Sequence, residues 1–550
     1  MSELANESER ALSSSEKRSL RVCLLTLYLH ESLAARQLCS VLREGGHECS
    51  LVFLKEFRWG EFRVWTPQEE EILLCLLRKI RPDLVGISIT SSLTADLAFA
   101  LSDRIREEVG APVIVGGAHP SVCPEESLEH ADFVCRGEGE AALADLADAL
   151  AAGRPVHSIA NIWAKRGWEV VRNDVRPLKD DLDSLPFVSF GEPGCYFIED
   201  NYLQEVDPAT RIPIYHTAAS RMACPFSCAF CAGVWLRREL YAGKGCVRRY
   251  RSVGKIIAEV NRARLCHPQM QVVHFWDEVF GVRAPAHWLD EFCARFPKEV
   301  GLPFGIWSHP GMVTDQLVGK LKAAGLKSVV LGVESGSEQV RREVLNRRER
   351  NSVVLRAAAA LNRHGVEVGY DFILDLPWLN EENCRGTFEL IMQLPQPFSL
   401  GLHSLSFLPE TEVTRRALAE GLIRVEQIAA ADRSLPERFE SFLWKYRLGA
   451  HDPAAAFWHS MIYLASMPFV PRPVLWRAYR MRWLLRHFPQ PVLIAAEAAR
   501  SKKDTGQLKL WGALAAVYPG LAGFLARHPR LGGIVNRTAR FLGRAAFRGM

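Results

Sequence analysis

At 550 residues the chain is too long for one hydrophobic core, so two or three domains are expected. Apolar residues make up 48% and charged residues 24%, which excludes a disordered or fibrous protein and suits a globular one. A net charge of +5 is too mild to argue for a nucleic-acid partner, although its distribution is uneven.

Fourteen cysteines are scattered along the chain, and Met1–Arg18 is polar without an apolar stretch. A reducing cytoplasm is therefore expected rather than a disulfide framework. Residues 1–19, rich in Ser and Glu, read as a disordered leader. From Arg21 the pattern turns α/β. Apolar runs at Arg21–Tyr28, Cys49–Leu54, Leu84–Thr90, Val113–Gly116 and Phe133–Cys135 predict buried strands. Helical periodicity runs from Ala34 to Leu42, where Gly45-Gly46 stops it, and recurs near Glu69–Lys79, Leu93–Val109 and Glu140–Ala152. Residues 20–153 thus predict a Rossmann-like, doubly wound parallel sheet, which binds ligands beyond the carboxyl ends of its strands. At those ends stand Ser91-Ser92, Gly116-Gly117-Ala118-His119-Pro120 and Arg136-Gly137-Glu138-Gly139-Glu140. Ser91, Gly116, Gly117, Gly137 and Glu138 are the candidate ligand contacts, the glycines because they admit a bulky ligand close to the backbone. From these loops alone a flavodoxin-like or response-regulator sheet is equally open, and no Gly-x-Gly-x-x-Gly follows the first strand.

Residues 154–212 carry prolines and charge runs without a long period, and read as a linker with one hairpin, Ile162–Val171, around Arg166-Gly167. Over 213–430 the alternation resumes. Strands are predicted at Pro213–Ala218, Gln271–Trp276, Phe304–Ser308, Ser328–Val333, Glu367–Leu374 and Leu400–Leu405. Helices are predicted at Val253–Cys266, Pro285–Phe296, Thr314–Ala324, Ser352–His364 and Glu381–Gln393. Six such units imply a partial (β/α)6 TIM-like barrel with its chemistry at the carboxyl-terminal strand ends.

Just after the first barrel strand comes Arg221-Met-Ala-Cys224-Pro-Phe-Ser-Cys228-Ala-Phe230-Cys231-Ala-Gly233. Three cysteines three and two residues apart converge only if the backbone wraps around one point, which the small residues between them permit. Zinc with His216 as a fourth ligand is one reading, although a structural zinc site commonly uses two separated pairs. A four-iron cluster with one open iron is the other. Two further strand ends carry carboxylates, Trp276-Asp277-Glu278 and Glu334-Ser335-Gly336-Ser337, which can accept hydrogen bonds from a ribose or an ammonium group. The bland alternative is capping, by Asp277 of a turn and by Ser335 or Ser337 of the next helix. Arg248, Arg249 and Arg251 suit a carboxylate or phosphate, or simply a solvated charge run.

Cys224-x-x-x-Cys228-x-x-Cys231, with Phe230 before the last cysteine, resembles the signature of the radical S-adenosylmethionine (SAM) superfamily. The resemblance implies a [4Fe-4S] cluster on Cys224, Cys228 and Cys231. Its open iron would chelate SAM and, given an electron from a donor such as flavodoxin or ferredoxin, cleave it to a 5′-deoxyadenosyl radical. It implies that Phe230 packs on the adenine and that Glu334, in Val330-Leu-Gly-Val-Glu334-Ser-Gly, meets SAM, with Asp277 as a further cofactor contact. Phe372-Ile-Leu-Asp-Leu-Pro377 is similar to the family's fifth-strand end, but Asp375 and Trp378 replace its glycines, and Ser308-His309-Pro310 lacks the arginine of many relatives.

Val115-Gly-Gly-Ala-His-Pro120, Pro124-Glu-Glu and Cys135-Arg-Gly-Glu-Gly-Glu140 resemble the cobalamin-binding domain that precedes many such barrels, and Asp180-Asp-Leu-Asp-Ser-Leu-Pro186 resembles the segment leading into them. The Asp-x-His-x-x-Gly motif of histidine-ligated cobalamin is not intact. Tyr28-Leu-His30-Glu-Ser-Leu33 keeps the histidine without the Asp and Gly, so cobalamin with no lower histidine is expected, and His30 as a packing or capping residue.

Residues 431–550 read as helical. Over 471–550 fifteen Lys or Arg face two Asp or Glu, a balance of +13 that leaves −8 for the rest of the chain. A basic, aromatic, Leu-rich tail suits a peripheral membrane or nucleic-acid contact, or a basic cap on the barrel; Leu510–Ala526, broken by glycines and Pro519, is too short to span a bilayer. The resemblance implies a cobalamin-dependent radical SAM enzyme, most often a methyltransferase, acting on an unactivated carbon of a small molecule, with a lipid-like substrate suggested by the tail. The alternatives are an RNA methylthiotransferase, a non-methylating radical cyclase or oxidoreductase, and a metal- or cobalamin-bearing regulator. A nucleic-acid partner is not expected.

Overall fold

The structure, a computed structural model, describes residues 18–57, 63–430, 457–458, 461–462, 464–465 and 470–482. The Ser/Glu-rich leader up to residue 17 and most of the basic C-terminal region, including Leu510–Ala526, lie outside the described residues.

Five parallel strands form the heart of the first sheet: β1 (Arg21–Leu27), β2 (Glu48–Leu54), β3 (Leu84–Ser88), β4 (Val113–Gly116) and β5 (Phe133–Cys135). Strand β1 pairs with both β2 and β3, so the winding reverses there, and loops splay apart beyond the strand ends. The strands are apolar on both faces because both are covered. One face packs on helices Pro67–Ile80 and Ala95–Glu108, the other on Leu33–Glu44 and Glu140–Ala151.

Residues 154–212, expected as a linker, complete this sheet at both edges instead. The hairpin β6 (Ile162–Arg166) and β7 (Glu169–Arg172) adds antiparallel to β5. Strand β8 (Cys195–Glu199) lies parallel to β2, and β9 (Tyr202–Gln204) closes that edge, giving nine strands ordered β7-β6-β5-β4-β3-β1-β2-β8-β9. Edge strands bury one face or less, so β7 and β9 lack the apolar run that marks a central strand.

The β8–β9 segment is tied down from within. Arg36, buried under Phe53 and Phe190, donates two hydrogen bonds to Asp207, each 2.6 Å, and others to the carbonyls of His30 and Ser189. Both side chains are almost wholly buried. Removing one partner strands the other charge in low dielectric, so Asp207→Ala should lower stability by about 3–5 kcal/mol in denaturant unfolding.

The second sheet alternates with helices as predicted, and a two-stranded bridge, β11 (Ser220-Arg221) on β12 (Arg249-Tyr250), lies between its first two strands in the chain. It runs β10 (Ile214–Thr217), β13 (Val272–Phe275), β14 (Phe304–Ser308), β15 (Leu326–Glu334), β16 (Glu367–Asp375) and β17 (Ser399–Ser404), all parallel and adjacent in that order. Tyr215, Val273, Phe275, Phe304 and Ile306 point outward into a core shared with the surrounding helices. Residues one step along each strand point into the lumen of an open, partial barrel. The described part of the C-terminal region packs on this barrel: Trp458 is buried against Phe388, and Tyr479 of the helix Arg472–Arg480 donates to Glu389 at 2.7 Å. No helix among the described residues is long and apolar enough to cross a membrane.

Candidate active site

The cysteine loop leaves the carboxyl-terminal end of β10 through the β11–β12 bridge, and Asp277, just after β13, fixes that entry. Its carboxylate accepts from the Ala219 N–H at 2.8 Å and from the Ser220 hydroxyl, and it is 1% exposed. Both oxygens serve the backbone turn, which corrects the expectation that Asp277 touches a cofactor. Burial pushes its carboxyl from 3.8 up to about 6, against those hydrogen bonds. Between the two values the folded chain holds a proton that the unfolded chain has lost, so this group's stabilisation is complete below about pH 4 and lost as the pH rises through about 6. Asp277→Asn should flatten the stability–pH curve across that interval, read from thermal midpoints.

Cys224, Cys228 and Cys231 are half-buried, unpaired thiols on one short loop. The loop is pinned from four sides. Ala229 donates to Leu345 O and accepts from Val413 N–H, both at 3.0 Å; Asn346 reaches Ser227 O at 2.8 Å and Arg237 reaches Phe226 O at 2.6 Å. Phe226 stacks on His309 with ring centroids 3.9 Å apart. Burial pushes the Cys228 thiol up to about 12, its sister thiols adding to the effect and Arg347 opposing it. The three sulfurs do not gather within 4.8 Å of one another. A tetrahedral zinc with bonds of about 2.3 Å would draw its sulfurs to about 3.8 Å, whereas a four-iron cube spreads its thiolates more widely. His216 stands apart from the thiols, its ring 4.5 Å from Trp276 in the barrel lumen. Three thiols without His216 beside them suit a cluster with one open iron.

Beneath the loop runs a chain of buried charges that sequence reading missed. His309 lies 3.5 Å from Glu349, Glu349 accepts from Arg347 at 2.7 Å, and Arg347 reaches Glu334 at 3.1 Å and Gly332 O at 2.6 Å. Arg347 Nη1 is 4.0 Å from Cys228 Sγ, so a fixed cation stands beside the thiols. Burial opposes ionisation of Glu349, but His309 and Arg347 hold it down to about 2. For Glu334 burial wins, raising the carboxyl to about 7 despite Arg347. Glu334 ends β15, and Arg347 bridges it to Cys228. Phe230 lies half-buried in an apolar cluster with Ile373, Leu376 and Trp378 at the end of β16.

Across from this loop a cavity of about 370 Å³ opens at the carboxyl ends of β1, β3, β4 and β5. Gly116, Gly117, Gly137 and Glu138 line it, with Leu24, Leu38, Ile114 and Leu143 as its apolar wall. Gly117 and Gly137 have φ of +115° and +73°, and a Cβ on Gly137 would stand 2.0 Å from the Tyr241 hydroxyl. Ser91 is not in this wall; its hydroxyl accepts from the Leu93 N–H at 3.3 Å. His30 is buried with Nε2 3.0 Å from Glu31, outside the cavity's lining, as befits a packing residue.

Glu138 turned out to be a fastener. Arg249, 2% exposed, donates to both its oxygens at 2.9 and 2.6 Å, and its N–H donates to the Tyr241 hydroxyl at 2.6 Å. Arg221, three residues before Cys224, pairs with Glu140 at 2.6 Å. Arg251 pairs with Glu259 at 2.6 Å, so Arg249 and Arg251 are neither anion sites nor a solvated run. The glycine-rich end of the first sheet is thereby locked onto the base of the cysteine loop.

Comparison with known proteins agrees with this division. Residues 22–147 match the B12 binding domain family, and residues 222–391 match the radical SAM superfamily. An uncharacterized methyltransferase of Pyrococcus horikoshii is 25% identical over 358 residues, covering 63% of this chain and 72% of that protein. Bacteriochlorophyllide d C-8(2)-methyltransferase of Chlorobaculum tepidum is 30% identical over 151 residues, 27% of this chain and 28% of that one. Among solved structures, the radical SAM methyltransferase TsrM of Kitasatospora setae, with cobalamin and a [4Fe-4S] cluster bound, aligns over 73% of this chain and 75% of its own at TM-score 0.58 and 18% identity. The cobalamin-dependent SAM radical enzyme OxsB aligns over 93% and 75% at TM-score 0.59 and 16% identity, a likeness of fold. The chain thus carries a stretch that matches the B12 binding domain family ahead of one that matches the radical SAM superfamily.

Proposed function

We propose that this protein is a cobalamin-dependent radical SAM methyltransferase acting on an unactivated carbon of a small molecule. The observation that carries the reading is the fastening of two sites to one another: Glu138 and Glu140 at the mouth of the first-sheet cavity hold Arg249 and Arg221 at the base of the cysteine loop. When bound, the [4Fe-4S] cluster with SAM supplies the 5′-deoxyadenosyl radical and cobalamin supplies the methyl group. Cys224, Cys228 and Cys231 would hold the cluster. Glu334 and Phe230 would orient SAM. The cavity, with its apolar wall and close-approach glycines, is of a size to shelter the buried tail of a corrinoid. Gly116, Gly117, Gly137 and the backbone of Glu138 would contact that tail, and His30 would not ligate the metal.

An external one-electron donor such as flavodoxin or ferredoxin belongs to the same proposal, because nothing else in it reduces the cluster. A cytoplasmic setting rests on the fourteen free thiols, and peripheral membrane contact on the +13 balance of residues 471–550. An RNA methylthiotransferase, expected to carry extra cluster cysteines, is not favoured, since Cys23, Cys39, Cys49 and Cys135 are packed in the cores of the first sheet. The test is air-free reconstitution with iron, sulfide and hydroxocobalamin, followed by reduction in the presence of methyl-deuterated SAM. Retained corrinoid, 5′-deoxyadenosine and deuterated methylcobalamin are the expected products; 5′-deoxyadenosine without methylation of the corrinoid would favour a non-methylating radical reaction.

A further inference from the structure

The lumen of the partial barrel has no role so far, and its lining is unusual. Pairing register sets its residues in layers. His216, His274, Gly305 and Ser328 form the lowest, Trp276 and Trp307 stand one pleat above with Val330 and Gly369, and Gly332, Asp371 and Gly401 stand one pleat higher. Above them Glu334 and His403 reach the level of the cysteine loop. A barrel filled for stability carries bulky branched side chains in such layers. Here glycine recurs, and neighbouring side chains lie flat against the wall: a Cβ on Gly401 would collide with Asp371, and one on Gly332 with Glu334. The lumen side keeps solvent access, with Val330, Asp371, Gly401 and His403 part-exposed.

One wall of that opening is an aromatic shelf. The indoles of Trp276 and Trp307 are parallel to within 9° with centroids 6.1 Å apart, and the His216 ring, tilted by 45°, lies 4.5 Å from Trp276. Trp307 is 38% exposed although it points into the barrel, and His274 Nδ1, below it, is shut off from solvent without a hydrogen-bond partner. The facing wall carries Asp371, half-exposed, with His403 Nε2 3.5 Å away. The shelf also has an address. His216 is close enough to Glu31, in the loop after β1, to feel its charge, so the shelf begins where the two sheets meet and rises toward the thiols.

An acyl chain asks for a groove of branched aliphatic side chains. Parallel ring faces with an acceptor opposite ask for a flat conjugated ring bearing N–H, O–H or ammonium donors on its rim. Resting on the function proposed above, we infer that the substrate is such a planar aromatic or heteroaromatic compound, stacked on Trp276 and Trp307 with a donor edge turned to Asp371, rather than a lipid.

Equilibrium dialysis of the reconstituted protein, with SAM and cobalamin, against tryptamine and against 2-cyclohexylethylamine tests this, because the two amines share charge and chain and differ in the ring. Retention of tryptamine at least about tenfold above the saturated amine is expected, with that preference erased in Trp307→Leu and largely kept in Trp307→Phe. Equal retention of the two amines by the wild-type protein would overturn the inference, as would a preference unchanged in Trp307→Leu. Formation of 5′-deoxyadenosine is scored separately: its failure removes the proposed function, whereas equal retention beside intact SAM cleavage removes the aromatic substrate alone.

Discussion

Cys228→Ala should yield a folded protein that binds less iron after air-free reconstitution and forms 5′-deoxyadenosine only at background. The loss expected is at least about a hundredfold, since altering groups that merely support a metal ligand already costs 10–100-fold. Folding should survive, because the loop is held by Ala229, Asn346 and Arg237 rather than by its thiols. Cys246→Ser, which removes an exposed thiol beyond the loop, should reconstitute as the wild type does. If Cys228→Ala kept full iron and sulfide and still cleaved SAM, these three thiols would not be the cluster's ligands. Iron and acid-labile sulfide counts, with the visible spectrum, decide it.

The second large effect is expected at the fastener between the sheets. Glu138→Ala leaves Arg249 buried with only the Lys179 carbonyl to accept from it, and should cost about 3–5 kcal/mol. Part of that cost should be local: the variant should release corrinoid more readily than Asp207→Ala, whose buried pair lies away from the cavity mouth. A double substitution, Glu138→Leu with Arg249→Met, should recover much of the stability, because an apolar pair leaves no stranded charge. Unfolding midpoints and cobalt retained after desalting separate the two contributions. Full retention of both in Glu138→Ala would show that this pair does not hold the sheets together.

Most of the fold could be read from residue order because its strands are buried on both sides. Phe133–Cys135, Phe304–Ser308 and the helix Val253–Cys266 begin and end where their apolar patterns do. The edge strands between 162 and 204 could not be placed so, since half-exposed β7 and β9 carry no continuous apolar run; only the Arg166-Gly167 turn gave the hairpin away. The cysteine loop was legible because its three-residue and two-residue spacing lies within one short stretch, whereas residues whose position depends on tertiary partners were not. Asp277 looks like a ligand contact until its hydrogen bond to a nearby backbone N–H group is seen. Arg347 and Glu349 sit in Arg347-Arg-Glu-Arg350, which reads as a solvated charge run, yet two of those four side chains are buried beside Cys228. Arg249 was weighed as an anion site, and its true partner, Glu138, is 111 residues away in sequence.

The place of β8 in the first sheet bears on synthesis. Strand β2 ends at Leu54, but the strand that covers its outer edge does not begin until Cys195. On the ribosome the nascent sheet therefore presents a bare, apolar template for most of the time needed to translate the intervening segment, and such a template invites pairing with another chain. Truncation at residue 153, where the domain looks finished, would make that exposure permanent. An N-terminal fragment carried to residue 212, with Asp207 to receive Arg36, should stay monodisperse where the shorter one aggregates.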